Sequence, residues 1–176
     1  MDVAPANIRD SETFEIFVTG LKNTHGLQKQ SETMLENQIE RVEQYSDYKA
    51  LLTAHLGETK AQIQALETIL DRYDENPSAL KEGVMSLMAE LPTLGHATAQ
   101  DEILKNAFAT FGLAAYTIAA YESLIVMARA AGHTEIAVFE RAIAEEEAFL
   151  KTARPLVANV TAKYVGLTAA DQDASY

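Results

Sequence analysis

The stretch Asp101–Ala131, DEILKNAFATFGLAAYTIAAYESLIVMARAA, decides the fold of this chain. It has no charged side chain between Lys105 and Glu122, and its apolar residues recur at steps of three and four. A helix that is apolar on nearly all sides belongs in the middle of a domain, with other helices packed around it. The stripe expected to be buried comprises Leu104, Phe108, Phe111, Ala115, Ile118, Tyr121, Ile125 and Ala128.

Helical periodicity also fills most of the remaining sequence. The other predicted helices run from an Asp10 or Ser11 cap to about Tyr45, from Ser46 to about Asp74, from Pro77 to about Glu90, and from a Thr134 cap to about Tyr164. Gly132 suits the position just after the end of the central helix. Pro155 is expected to kink the last helix without ending it, because the apolar stripe continues beyond it.

The pattern predicts an all-α protein, since no stretch alternates apolar and polar residues as a strand would. Four long helices and one short helix between the second and third long ones let those two run parallel. The predicted fold is therefore a ferritin-like four-helix bundle with one long crossover that carries a short extra helix. We expect residues 1–9 to form a flexible lead, 10–165 the bundle and 166–176 a flexible tail.

Composition excludes several classes of function. The chain has 176 residues, a formal net charge of -12 and no cysteine, so disulfides and cysteine-type zinc sites are impossible. Nucleic acid and anionic membrane would be repelled, and the N-terminus lacks the basic and apolar regions of a signal peptide. Because even the central stretch is rich in Ala, Tyr and Thr and carries Glu122, we expect no membrane span and a cytoplasmic location.

Four stretches carry a resemblance to a known family. They are LKNTHGLQKQ from Leu21, HLGETKAQIQALE from His55, AAYESL from Ala119 and AEEEAFLK from Ala144. These stretches resemble the YciF/YciE family of ferritin-like bacterial stress proteins. The resemblance implies a five-helix ferritin-like subunit, usually a homodimer, that is associated with stress and suspected of carrying a di-metal site.

The residues needed for such a di-metal site are mostly missing here. A carboxylate-bridged site takes an inward Glu from each of four helices and a Glu-x-x-His pair on two of them, and this chain has no Glu-x-x-His. By the resemblance, Gln28, Ala114 and Thr117 stand where the family carries Glu. We therefore assign no catalytic, cofactor-binding or metal-binding residue.

The inward polar residues allow two interpretations. They are Gln28, His55, Gln62, Thr117 and Glu146. The first interpretation is a hydrogen-bonded polar layer with no metal, and the second is one ion held by Glu58, His55 and Glu146. Glu145 is expected to point outward, while His25 and His133 are expected at surface or capping positions.

The sequence favours a non-catalytic, ferritin-like structural or stress-associated protein that works as an oligomer without a cofactor. One alternative is a metal-dependent oxidase or peroxide-handling enzyme with a reduced site. A second alternative is a helical module that binds an unidentified protein through an exposed helix face.

Overall fold

The computed structural model describes residues 11–73, 101–134 and 136–176, which fold into four long α-helices. The helices are α1 (Glu12–Arg41), α2 (Ser46–Asp71), α3 (Glu102–Ala130) and α4 (Ala137–Ala169). These ranges contain no strand, and the predicted all-α class is confirmed. The predicted lead and the predicted short helix from Pro77 to about Glu90 lie outside the described residues.

Each helix packs against two others. Helix α1 contacts α2 and α3, and α4 contacts the same two, so α1 and α4 are diagonal to each other, as are α2 and α3. Side-chain pairs show that α1 and α3 are antiparallel, because Gln38 bonds to Thr110 whereas Gln28 bonds to Tyr121. This is the helix order of a ferritin-like bundle, as predicted.

The core has two apolar ends with polar side chains between them. One end is built from Phe17, Leu21, Leu66, Leu70, Leu124 and Phe139, among others. The opposite end is built from Leu35, Tyr48, Leu52, Ile103 and Val160, among others. Burial of these side chains, at roughly 1.5–3 kcal/mol for each large one, drives the helices together. The middle level is thereby left for the polar groups described below.

Helix α3 buries a different face from the one predicted. Its buried positions are Ile103, Ala107, Thr110, Leu113, Ala114, Thr117, Tyr121, Leu124, Ile125 and Ala128, together with Glu102. Phe108 is 55% exposed and Ala115 is also exposed, so the predicted stripe is wrong at both positions. The reason is that a helix apolar on all sides gives periodicity no polar face from which to locate the buried one.

Helix α3 is also long and apolar enough to cross a membrane, although the sequence predicts no membrane span. Within the described residues it is the one helix that meets this condition of length and composition. A core helix of a bundle meets the same condition, and the inner face of α3 packs on α1 and α4.

Two of the three predicted helix caps are present in the structure, and one is not. The Ser11 hydroxyl accepts a hydrogen bond of 3.3 Å from the Phe14 amide, as predicted for a cap. Gly132 has φ 71°, and the His133 amide donates to the Ala128 carbonyl at 2.8 Å, which closes α3 with a Schellman motif. The Thr134 cap is wrong, because α4 begins at Ala137 after an Ile136 cap without a side-chain hydrogen bond.

The C-terminal segment begins with a continuation of the last helix beyond residue 165, where the bundle was predicted to end. Helix α4 continues to Ala169, and the residues after it return to the corner between α1 and α2. Tyr45 Oη donates to the Ala174 carbonyl at 2.7 Å, and the Arg41 guanidinium donates to Tyr176 Oη at 2.6 Å. The buried Ala174 side chain and the two-sided bonding of Tyr176 hold this segment against the bundle.

Candidate functional site

Polar side chains from all four helices meet between the two apolar ends. Gln28 on α1, His55 and Gln62 on α2, Thr117 on α3 and Glu146 on α4 are each at most 5% exposed. The prediction that these five point inward is confirmed. We call this set, together with Thr59, Tyr121 and Glu145, the polar layer. On α2 the spacing of His55, Thr59 and Gln62 places all three on one helix face.

A chain of hydrogen bonds crosses the polar layer. Gln28 Nε2 donates to Gln62 Oε1 and to Tyr121 Oη, the latter at 3.3 Å. Gln62 Nε2 in turn donates to Glu145 Oε2 at 3.0 Å, and Arg141 Nε donates to Glu145 Oε1 at 2.7 Å. The chain therefore runs from the bundle centre to a surface ion pair. Burial raises the pKa of Tyr121, which keeps its hydroxyl neutral inside this chain.

His55 lies against an aromatic wall and between two carboxyl groups. Its ring stacks on Phe149 with centroids 3.8 Å apart and an interplanar angle of 14°. Its Nδ1 is 3.4 Å from Glu58 Oε2, and its Nε2 is 3.5 Å from Glu146 Oε2. Burial lowers the pKa of His55 to about 4, although the charge of Glu145 opposes the shift. The imidazole is therefore neutral near pH 7.

Glu146 is the one fully enclosed carboxyl group of the polar layer. Burial raises its pKa to about 8; the amides of Gln62 and Gln28 oppose this shift, while the charges of Glu58 and Glu145 add to it. Glu146 is consequently protonated in most molecules at neutral pH. With neutral His55, neutral Tyr121 and two amides around it, the centre of the bundle carries almost no net charge.

Three oxygen atoms of the polar layer lack a hydrogen-bond partner among the described residues. They are Gln28 Oε1, Thr59 Oγ1 and Glu146 Oε2. They come from three different helices, and unpaired buried oxygens of this kind are the usual positions of internal water.

A cavity of about 80 Å³ lies next to the polar layer, where α2 and α4 face each other. Gln62 and Tyr121 border it, and Arg141 and Glu145 stand on its α4 side. The other lining residues are Ala61, Ala65, Leu66, Val138, Phe139 and Ala142. Small side chains on the facing helices leave this space, which is large enough for a few water molecules and too small for a drug-sized ligand.

The side chains present do not fit a di-metal centre. Such a centre needs several carboxylates, since their charge is what holds two divalent ions. Within the polar layer Glu146 is the one fully buried acid, while Gln28 and Thr117 offer neutral groups and Ala114 has no donor atom. In the described ranges, no group of three acidic or histidine side chains converges in a way that could hold a metal ion.

The three residues considered for a single ion also lie in an unsuitable geometry. Glu58 approaches the Nδ1 side of the His55 ring and Glu146 the Nε2 side. The two nitrogens of an imidazole point away from each other, so an ion bound between His55 and Glu146 would have Glu58 on the far side of the ring. Glu58 is also 43% exposed, which leaves it solvated.

Two residues, Glu145 and His25, lie elsewhere than predicted, while His133 lies where it was expected. Glu145, expected to point outward, is only 20% exposed and accepts from Gln62, so it belongs to the polar layer. His25 is buried and its Nε2 lies 3.0 Å from Glu67 Oε1, because α1 and α2 pack closely at that level. His133 lies where it was expected, at the end of α3, where its amide caps the helix; its ring also packs beside Phe17, and its Nδ1 bonds to Tyr73 Oη at 2.7 Å. Contacts between helices decide the positions of Glu145 and His25, and the helical wheel of a single segment does not contain such contacts.

A second polar cluster was not predicted at all. Gln38 Oε1 accepts from Thr110 Oγ1 at 3.0 Å and from Tyr48 Oη at 3.1 Å, and all three side chains are buried. This cluster joins α1, α2 and α3 at the end of the bundle away from Gln28. A Gln in a helical stripe of otherwise apolar residues was its one signal in the sequence.

The helix order and the inward polar layer together define a ferritin-like four-helix bundle. The family described as a domain of unknown function (DUF892) matches residues 12–166, and the chain belongs to this family, whose fold is ferritin-like. The crystal structure of a protein from Xanthomonas campestris pv. campestris is similar, with a TM-score of 0.73 and 21% sequence identity. The match covers 90% of this chain and 99% of that one, and at this identity it shows the fold alone.

Proposed function

We propose that this protein is a non-catalytic, ferritin-like structural protein that works in the cytoplasm as a homodimer, in the manner that the resemblance to the YciF/YciE stress proteins suggests. The observation that carries the proposal is the replacement of carboxylates by neutral partners in the polar layer. Gln28 supplies two hydrogen bonds where a metal site would need an acid, and Glu146 keeps its proton.

The charge of the buried polar side chains also supports this proposal. A layer of several buried carboxylates would repel itself unless divalent ions neutralised it, so the ligands and the ions stabilise the bundle only together. A neutral, hydrogen-bonded layer holds the same four helices without ions. We therefore expect the bundle to fold fully in the absence of metal.

Metal content tests the proposal directly. The protein is expressed in medium supplemented with iron and manganese, purified without chelator and measured by mass spectrometry of the elements. Well under one iron or manganese per chain is expected, and the melting temperature should not rise when either ion is added. Stoichiometric, tightly bound iron would overturn the proposal and favour a metal-dependent oxidase.

A matched variant tests the same charge argument by adding carboxylates to the polar layer. Gln28→Glu, Ala114→Glu and Thr117→Glu together restore the acids of a di-metal layer. This triple variant should be destabilised without metal, because buried carboxylates repel, and its melting temperature should rise with Fe²⁺ or Mn²⁺. A triple variant as stable as the wild type without ions would contradict the charge argument.

A further inference from the structure

The outer face of α3 is an apolar surface on an acidic protein. Phe108, Tyr116 and Val126 are 55%, 48% and 65% exposed, and they account for three of the five exposed large hydrophobic residues in the described part of the chain. Gly112, Ala115 and Ala119, which are also exposed, lie between them. At 100° per residue these six positions fall within an arc of about 100°. We call this surface the α3 outer face.

Charge separates the α3 outer face from the rest of the molecule. The chain has a net charge of -12, which makes two copies repel over most of their surfaces. No charged residue occurs between Lys105 and Glu122, so copies can approach there without that penalty. Isolated exposed apolar residues are ordinary, but a continuous row on one helix indicates an interface.

The α3 outer face is complementary to itself. We infer that it binds the same face of a second copy in an antiparallel pair, with the two-fold axis beside Leu113 and Ala114. In that register Phe108 lies at the level of the partner's Ala119, and Tyr116 lies near the partner's Gly112. Large side chains thus meet small ones on both sides of the axis, as an isologous interface requires.

Charge placement at the ends of the face agrees with the same register. Lys105 and Glu122 are equally distant along the helix from the proposed axis, so Lys105 of one copy lies at the level of the partner's Glu122. A parallel pair would instead bring equal charges to the same level. Lys105 also pairs with Asp101 of its own chain at 2.7 Å, so the charge at that end is largely neutralised. The repulsion between two Glu122 side chains at one level therefore disfavours the parallel register relative to the antiparallel one.

Helix α1 packs beside one end of the α3 outer face. A Cβ atom at Gly20 would lie 2.7 Å from Met127 Sδ, so α1 and α3 approach closely at this level. Ile16, one turn before Gly20, is 48% exposed and adds an apolar side chain on α1. The α3 outer face is about 27 Å long from Phe108 to Val126. Together with the residues beside it, it forms a small interface for a specific dimer. A dimer held by so small an interface is expected to dissociate readily on dilution.

The inference rests on the homodimer of the proposed function. Glycine substitutions distinguish self-association in general from self-association through the α3 outer face. Gly112→Arg places a charge in the middle of the face, whereas Gly57→Arg makes the same change on α2. A Cβ atom would meet nothing within 4 Å at either glycine, so both variants should fold. Sedimentation at concentrations up to about 100 μM is expected to give twice the 19.3 kDa chain mass for the wild type and for Gly57→Arg.

Gly112→Arg is expected to sediment as a monomer with an unchanged helical circular dichroism spectrum. A dimeric Gly112→Arg protein would overturn the assignment of the face while leaving self-association intact. A monomeric wild type would overturn both. Flotation with phosphatidylcholine vesicles completes the test, since wild-type binding that Gly112→Arg abolishes would show a lipid surface to be the occupant and would also overturn the inference.

Single cysteines test the register, because the chain has no cysteine of its own. In the antiparallel pair the two copies of Ala115 lie close to the axis, whereas the two copies of Val126 are about 38 Å apart along it. Under mild oxidation Ala115→Cys is expected to form a disulfide-linked dimer and Val126→Cys is not. Efficient cross-linking of Val126→Cys would overturn the antiparallel register.

Discussion

At the scale of single residues, Glu146 sets the charge of the bundle centre through one proton. Its ordinary pKa of 4.5 becomes about 8 in the folded protein, so the folded state binds this proton more tightly than the unfolded state does. The stability that Glu146 contributes is complete below pH 4.5 and is lost as the pH rises to about 8. Alkaline rather than acidic conditions therefore weaken this part of the core.

His55 acts in the opposite direction over a lower range. Its pKa falls from 6.5 to about 4 on folding, so its contribution is complete above pH 6.5 and is lost as the pH falls to about 4. The two contributions oppose each other between about pH 4.5 and 6.5. Between pH 6.5 and 8 the titration of Glu146 acts without that opposition.

Glu146→Gln tests this assignment, since Gln preserves the shape of the side chain and cannot titrate. The free energy of unfolding of the variant, relative to the wild type, should rise by about 2 kcal/mol between pH 6.5 and 8. Urea unfolding at a series of pH values measures it. The control is Glu147→Gln, which removes an exposed carboxylate next to it. Parallel pH profiles for wild type and Glu146→Gln would show that Glu146 is already ionised at neutral pH.

The inward direction of the polar layer could be predicted from the sequence, but its bonding could not. Gln28, His55 and Glu146 each lie in an apolar stripe of one helix, and a stripe is visible in a single segment. The bond from Gln62 to Glu145 joins α2 to α4, and the rotation of one helix against the other decides it. For the same reason the sequence left Glu145 on the outside and His25 at the surface.

At the scale of helices, the pattern of apolar residues predicts where a helix lies in the sequence more readily than it predicts which face of the helix is buried. The polar residues of α1, α2 and α4 mark their exposed faces, and the buried sides follow. Helix α3 has no polar face between Lys105 and Glu122, so the sequence predicts the helix but not which of its faces is buried. That lack of contrast has a physical origin if both faces of α3 are covered, one by the bundle and the other by a second copy.

Gly132 shows how strongly a helix end depends on one backbone angle. Its φ of 71° suits glycine, and a side chain there would be strained. Gly132→Ala should lower the free energy of unfolding by about 1 kcal/mol. Gly57→Ala is the matched control, because it lies inside α2 with open space for a Cβ atom and should raise stability by up to about 1 kcal/mol. Equal effects of the two substitutions in thermal unfolding would contradict this account.

At the scale of the whole molecule, the C-terminal segment joins distant parts of the chain. Tyr45 Oη bonds to the Ala174 carbonyl, and the Gln44 side-chain amide bonds to the Asp173 carbonyl at 2.6 Å. The Arg41 guanidinium also lies 4.8 Å from the centre of the Tyr176 ring and pairs with the buried Glu102 at 2.8 Å. The segment thus stabilises the corner where α1 and α2 meet the start of α3.

Tyr45→Phe removes one bond of this segment and leaves the apolar ring in place. We expect a loss of about 1 kcal/mol in the free energy of unfolding, since the Ala174 carbonyl loses its buried donor. Stopped-flow unfolding and refolding divide that loss between the two rates. Tyr164→Phe, a change of the same chemistry on α4, serves as the comparison. An effect of Tyr45→Phe no larger than that of Tyr164→Phe would show that the corner bond contributes nothing.

The closure of this corner also bears on the order of events in folding. The residues bonded there are 129 positions apart in the chain, and contacts of such separation carry a high entropic cost until the intervening segments are already in place. Residues 173–176 leave the ribosome after the four helices that the structure describes. We therefore expect the bonds of this corner to form late in folding and to act chiefly by slowing unfolding.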